Sequence, residues 1–336
     1  MKLLIAGVDQ EGHVGRFLRQ AAFERGIDVR IADTRRAMDG PRLVRGLCWR
    51  LARRPLRLGS FSRETVAMAE DFRPDVLLST GIAPLAADAL RRLRTMGIRL
   101  INDSTDDPWS AFNRSAWFLE ALRCYDAVFT PRRSNLGDFV NLGLRDVRWL
   151  PFAYAPEVHF RDDSDAAEFT SDVAFVGGAD ADRVPLIASL IRVGHRVSLW
   201  GGYWHRFAAT RAHARGHADS ATLRRVLSHT KCALTLVRRS NRDGHAMRTY
   251  EVAAVGAPVL AEDTEEHREI LGDDGDTALF FRNEFELLDR CVWLVTHPHE
   301  GRAMGERLMQ RIREGRNTYG DRFDVMLGRS SDPSCR

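Results

Sequence analysis

Between Arg238 and Leu260 the sequence reads as a strand end, a polar loop, a helix, a Gly-Ala-Pro stop and a second strand. Asp243-Gly244 precedes the first helical turn, so the N–H groups of about His245 to Arg248 lack intrahelical acceptors and carry the positive end of the helix dipole. Those N–H groups would accept a diphosphate. Arg238, Arg239, Arg242 and Arg248 can add paired hydrogen bonds to phosphate oxygens. Glu251 lies about one turn inside the helix, where its carboxylate can accept two hydrogen bonds from a diol such as the ribose 2′- and 3′-hydroxyls. Asp243 stands eight residues earlier, at the mouth. Two acids bracketing a helix N-terminus suit a nucleotide-sugar whose ribose, diphosphate and sugar run past in order. A plainer account stays open at this level. Asp243 can be a cap-region acid, and Arg248 with Glu251 an i, i+3 surface pair worth roughly 0.2–0.5 kcal/mol.

The elements that must position these residues follow from periodicity. The first half alternates short apolar runs (2–8, 27–32, 75–79, 98–101, 127–130, 147–150) with helical stretches (14–25, 64–71, 84–95, 116–122, 134–142). This βαβ rhythm predicts a parallel sheet covered on both faces. Two prolines at Pro151 and Pro156, then Asp162-Asp163-Ser164-Asp165, mark a domain boundary. A second alternation begins with Asp172 to Gly178, a strand ending in glycines. It continues with strands at 196–200, 232–237, 258–261 and 278–281 and helices at 183–191, 220–228, 246–255 and 284–295. The fold class is therefore α/β, two consecutive open sheets. In such sheets ligands bind beyond the carboxyl ends of the strands, so the expected site is a cleft between the two domains.

Composition narrows the function classes. The chain has 336 residues, 44% hydrophobic and 29% charged, which excludes a disordered or collagenous chain. Fifty basic against 46 acidic residues give a net charge of +4, too balanced for a nucleic-acid footprint, and no nucleic-acid partner is expected. Five widely spaced cysteines (48, 124, 232, 291 and 335) and scattered histidines indicate neither a disulfide framework nor a metal site. No membrane-length apolar run and no secretory leader occur, so the expected address is the cytoplasm. Walker and Gly-x-Ser-x-Gly signatures are missing.

Two further regions can touch an acceptor or a surface. Asn102-Asp103-Ser104-Thr105-Asp106-Asp107-Pro108 places three carboxylates after a strand, and Asp103 is the candidate general base for an acceptor hydroxyl. A cation site or a plain acidic turn fits the same residues. Residues 41–59 hold six arginines and no acid, interleaved with leucines, Val44 and Trp49. The expectation is a solvated face whose apolar side packs on its own domain. Peripheral contact with an anionic membrane, or with an anionic acceptor, is the alternative.

The sequence resembles retaining GT-B glycosyltransferases. Asp243 and Glu251 look like their two acidic residues separated by seven, followed by a segment like Gly256-Ala257-Pro258-Val259-Leu260. More narrowly, it resembles the spore-maturation (CgeB-like) group. The resemblance rests on Leu150 to Pro156 with His159, Asp172 to Gly177, Arg248-Thr249-Tyr250-Glu251, and Asn317-Thr318-Tyr319 followed by Arg322. Coverage runs from about residue 145 to 325. At the first acidic position this chain has aspartate where most relatives have glutamate.

What the resemblance implies is a GT-B fold of two Rossmann-like domains facing a central cleft. An acceptor-side domain at 1–152 and a donor domain at 153–300 would be followed by helices and a tail at 301–336 returning toward the first. The implied activity is transfer of a sugar, with retention, from a nucleoside diphosphate sugar to a hydroxyl on an unidentified acceptor: glycan, protein or small molecule. No cofactor beyond that donor is implied. Glu251 would hold the ribose and the helix start at Gly244, His245, Ala246 and Met247 the diphosphate, with Arg248 and Arg238 beside it. Asp243 would approach the sugar or acceptor. Gly177, and Gly201 and Tyr203 in Ser198 to Trp204, look like donor-side loops, and His13 would contact acceptor or phosphate. Two rivals share the fold: a non-catalytic nucleotide-sugar-binding scaffold, and a nucleotide-sugar epimerase.

Overall fold

The structure, a computed structural model, describes residues 1–164 and 166–329. Asp165 and Cys335, named above, lie outside the described residues, as does the end of the 301–336 segment. The chain forms two units. One comprises Met1–Pro151, Ser240–Arg242 and the chain from Tyr319; the other comprises Phe152–Arg239 and Asp243–Thr318.

The first unit is a six-stranded parallel sheet, β1 (Lys2–Gly7), β2 (Asp28–Asp33), β3 (Val76–Thr80), β4 (Arg99–Asp103), β5 (Ala127–Thr130) and β6 (Val147–Trp149), in the order β2-β1-β3-β4-β5-β6. Its helices are α1 (Val14–Glu24), α2 (Arg42–Ala52), α3 (Leu58–Phe72), α4 (Ala87–Thr95), α5 (Ala116–Leu122) and α6 (Arg133–Asn141). Strands covered on both faces need apolar residues throughout, and Leu3 to Ala6 and Leu77 to Leu78 are fully buried.

The second sheet runs β12-β11-β10-β7-β8-β9, with β7 (Ser171–Val176), β8 (Val197–Trp200), β9 (Ala214–Gly216), β10 (Thr230–Thr235), β11 (Val259–Glu262) and β12 (Leu279–Phe281), again all parallel. Helices α7 (Arg183–Arg192), α8 (Ser220–Ser228), α9 (Met247–Val255), α10 (Glu265–Leu271), α11 (Glu284–Thr296) and α12 (Pro298–Glu314) cover it, and α13 (Tyr319–Met326) belongs to the first unit. Period-two alternation along β10 sends Ala233 into the core beneath α9, and Cys232 and Leu234 into the opposite core with Cys291 of α11. Helix α12 stays with the second unit. Its Gly305 lies against the Gly256 and Ala257 backbone, and Leu308 and Ile312 join the core under α9. Among the described residues, α13 is the helix of this C-terminal stretch that joins the first unit, stacking Tyr319 on Phe17 at 4.8 Å and pairing Asp324 with Arg25 at 2.7 Å.

Successive strands β7, β8 and β9 run outward in one direction and β10, β11 and β12 in the other. The topological switch therefore falls between β7 and β10, where this class of sheet opens a crevice beyond its strand ends. Among the described residues no helix is long and apolar enough to cross a membrane.

Candidate functional site

Helix α9 starts at that switch. Residues 252–255 anchor it as a buried run, and Gly256 ends it at φ 78°. At its N-terminus Thr249 Oγ1 accepts the Ala246 N–H at 3.1 Å, which is half of a capping box and leaves the first-turn N–H groups at 247 and 248 without intrahelical acceptors. The hydroxyl is oriented from behind by His267. That ring donates Nδ1–H to the Glu262 carbonyl at 2.8 Å, so its Nε2 accepts from Thr249 at 3.1 Å. Burial holds His267 neutral, its pKa pushed down to about 4.

The preceding loop is fixed by α10. Thr264 donates its hydroxyl to the Gly244 carbonyl at 2.5 Å. His245, 1% exposed, accepts the Phe152 N–H at Nε2 (3.3 Å) and so donates Nδ1–H to Glu266 at 2.5 Å. A Cβ at Gly244 would overlap the Glu266 carboxyl group, so only glycine allows this packing. The sequence places His245 among diphosphate ligands. In the structure its side chain is a buried strut, and only its backbone stays with the helix start.

Glu251 is 2% exposed. It pairs with Arg248, whose Nε also donates to the Val176 carbonyl at the end of β7 (3.1 Å). His159 accepts the Ala155 N–H at Nδ1, so its Nε2 carries the proton and faces the other Glu251 oxygen at 3.5 Å. Burial lowers the His159 pKa against the pull of Glu251, which keeps that ring neutral. The plain account of Arg248 and Glu251 as a surface pair is thereby overturned, because the carboxylate is inside. Two carboxylate oxygens offer about four lone-pair directions, so capacity for a diol remains beside these partners.

The phosphate arginines divide. Arg239 is paired with Glu262 at 2.9 Å, and Arg242 is held by Asp107 (2.8 Å) and Asp138 (2.8 Å), both within the first unit, so Arg242 is committed to carboxylates there. Arg238 is exposed. It adds repulsion to Arg183, a cation the sequence reading missed. Arg183 is 6% exposed and spans the switch, donating to the Gly178 carbonyl after β7 (3.2 Å) and the Leu236 carbonyl after β10 (3.0 Å). Burial lowers its pKa, only partly offset by Asp180, Asp243 and Glu262. Arg183 pairs with Asp180 at 3.5 Å and otherwise donates to neutral carbonyls, so a phosphate at the switch could add charge-assisted bonds. Asp243 is half-buried, its N–H donating to Arg238 O at 3.3 Å.

Gly177 and Gly201 press together. Gly201 has φ 129°, and a Cβ there would run into the Gly177 backbone, while Trp204 donates to the Gly177 carbonyl at 2.8 Å. Close backbone approach, rather than a simple tight turn, accounts for both glycines. Tyr203 is 52% exposed, with Arg206 over its ring at 4.4 Å.

In the first unit, His13 is the exposed N-cap of α1. Asp103 ends β4 at 9% exposure with its pKa raised to about 7, because burial outweighs the attraction of Arg132. Asp107 is fully buried by contrast and receives hydrogen bonds from Trp109 N, Asn135 and Arg242, so the three carboxylates of this turn do not act together. A carboxyl whose pKa is higher folded than unfolded stabilises the protein at low pH, and that stability is lost as pH rises toward 7. Asp103→Asn is thus expected to flatten the fall in stability between about pH 4 and 7, by on the order of 2 kcal/mol. Urea titrations at several pH values check it, and an unchanged slope would show that Asp103 ionises freely.

Residues 183–328 match the family model described as glycosyl transferase-like. No curated protein sequence matches the chain. Similar solved structures include sucrose-phosphate synthase from Thermosynechococcus elongatus (TM-score 0.69, 12% identity, covering 97% of each chain). HepE of Anabaena in complex with UDP-glucose is similar too (0.63, 11%, covering 97% of this chain and 98% of that one). So is UDP-GlcNAc 2-epimerase from Neisseria meningitidis bound to UDP-GlcNAc (0.56, 12%, 98% and 99%). At such identities the likeness is one of fold: two parallel six-stranded sheets with flanking helices, the GT-B architecture.

Proposed function

We propose that the protein is a glycosyltransferase, resembling the CgeB-like group, that moves a sugar from a nucleoside diphosphate sugar to an acceptor hydroxyl with retention. The observation that carries this reading is the buried Glu251, held by Arg248 and His159 one turn inside a helix that opens at the β7/β10 switch. A carboxylate kept at such depth, beside the uncapped N–H groups at 247 and 248, has the order of groups that ribose and diphosphate require. In this reading the acceptor oxygen bonds to the anomeric carbon on the face from which the diphosphate departs, as that bond breaks, and the hydroxyl proton passes to a carboxylate base, for which Asp103 is the candidate. The electron pair leaves on the diphosphate, where the helix N–H groups, Arg183, Arg238 and Arg248 stabilise the developing charge. Asp243 attends the sugar or acceptor, Gly177, Gly201 and Tyr203 shape the donor side, and Asp103 with His13 serve the acceptor. A pKa near neutrality suits Asp103 to that work.

A panel of nucleoside diphosphate sugars, assayed for hydrolysis and for transfer, tests the proposal. Asp243→Asn keeps the volume and removes the charge. It is expected to leave nucleoside diphosphate affinity nearly unchanged and lower turnover about a hundredfold, the mark of an interaction realised in the transition state. Full turnover would remove Asp243 from the chemistry. Binding without turnover across the panel would favour a scaffold, and an altered sugar without acceptor an epimerase.

A further inference from the structure

Helix α2 buries none of its residues. At 100° per residue, Leu43, Leu47 and Leu51 form one stripe with Val44 beside it, and these side chains are 87%, 57%, 78% and 43% exposed. The other side leans on the protein. Arg45 donates to the Met38 carbonyl at 3.3 Å, and the Trp49 ring lies 6.3 Å from that of Phe112. A helix on a soluble domain has the reverse arrangement, so within 41–59 the expectation that the apolar side packs on its own domain holds for Leu58, which is buried, and fails for the leucine stripe of α2. Phe112, 70% exposed, adds to the apolar surface. Arg42, Arg50, Arg53 and Arg54 are all exposed, and no carboxylate occurs from Pro41 to Gly59.

We propose that α2 docks the protein on an anionic phospholipid surface. The leucine stripe enters the boundary between headgroups and acyl chains, and the arginines meet the lipid phosphates. Charge complementarity selects this occupant. A second copy placed symmetrically on the stripe would set these arginines against their own equivalents, with no acid on the segment to offset them. The attachment is one of surface contact, independent of the reading of the nucleotide site.

Flotation with vesicles tests it. Binding to phosphatidylcholine containing about one-third phosphatidylglycerol should exceed binding to phosphatidylcholine alone by at least about tenfold, and should weaken with salt. The variant Leu43→Asp/Leu47→Asp/Leu51→Asp should lose vesicle binding. Arg50→Gln/Arg53→Gln/Arg54→Gln should lose about fivefold per arginine on anionic vesicles only. All six positions are exposed, so both variants should keep the wild-type circular dichroism and nucleoside diphosphate affinity, which separates lost docking from lost folding. The proposal is overturned if wild type ignores anionic vesicles or if the leucine variant still binds them. It is overturned equally if the stripe proves to hold a dimer, with the leucine variant monomeric and wild type never on vesicles.

Discussion

Glu251→Gln is expected to weaken nucleoside diphosphate binding by about ten- to a hundredfold while the protein stays folded. The amide preserves volume and keeps one carbonyl oxygen, yet it cannot serve Arg248, the His159 Nε2–H and a diol together. Arg248 would then be released from its helix partner and held by the Val176 carbonyl alone. Calorimetry with UDP, GDP and ADP, using whichever binds wild type most tightly, gives the measurement. Loss of affinity for the bare nucleoside as large as for the diphosphate would place the defect at the ribose, as proposed. Unchanged affinity for both would reduce Glu251 to a structural ion-pair partner.

The largest expected stability effect lies at Arg242. Its guanidinium makes two bonds to Asp107 and one to Asp138, and its backbone takes the left-handed φ of 53°. Burial alone would raise the pKa of Asp107. The Arg242 bonds, the Trp109 N–H and Asn135 reverse this and hold it below the ordinary 3.8. Arg242→Ala would leave that carboxylate buried with its main partner gone. The cost should be about 3 kcal/mol, near the low end for a buried pair because the Arg242 side chain is itself 42% exposed. The sign with pH follows. A depressed folded pKa contributes stability above the unfolded value, and wild type should lose this part as pH falls below about 4. The alanine variant should lack that acid-dependent part, and Asp107→Asn in the Arg242→Ala background should recover stability. Denaturant titrations at pH 7 and pH 3 check both, and a neutral Arg242→Ala would show the pair to be solvent-screened.

Much of the architecture was legible because parallel strands announce themselves as apolar runs between helical periods. The start of α9 was legible too, from Asp243-Gly244 and the Gly256 stop. What could not be read were partners distant in sequence. Glu266 lies 21 residues beyond His245 on the seven-residue α10, too short for a strong period. Arg242 looked like a phosphate ligand because its acid, Asp107, is 135 residues upstream. Arg183 sits at a helix start where an arginine is unremarkable, and only the burial of its guanidinium marks it. For α2 the periodicity revealed an amphipathic segment but not which side would face outward. Period alone carries no sign.

The return of α13 bears on the order in which this chain can be completed. The first sheet leaves the ribosome early, yet the ring that stacks on Phe17 and the carboxylate that pairs with Arg25 come from Tyr319 and Asp324, and Arg242 is made far later than Asp107. During synthesis the first unit must wait, with the Phe17 side of α1 lacking its cover from α13 and Asp107 lacking its arginine, until the whole second unit has been translated. Vectorial folding would then favour the second unit as the earlier one to finish, and would leave a nascent chain stopped short of residue 319 exposed to chaperones at its amino-terminal half.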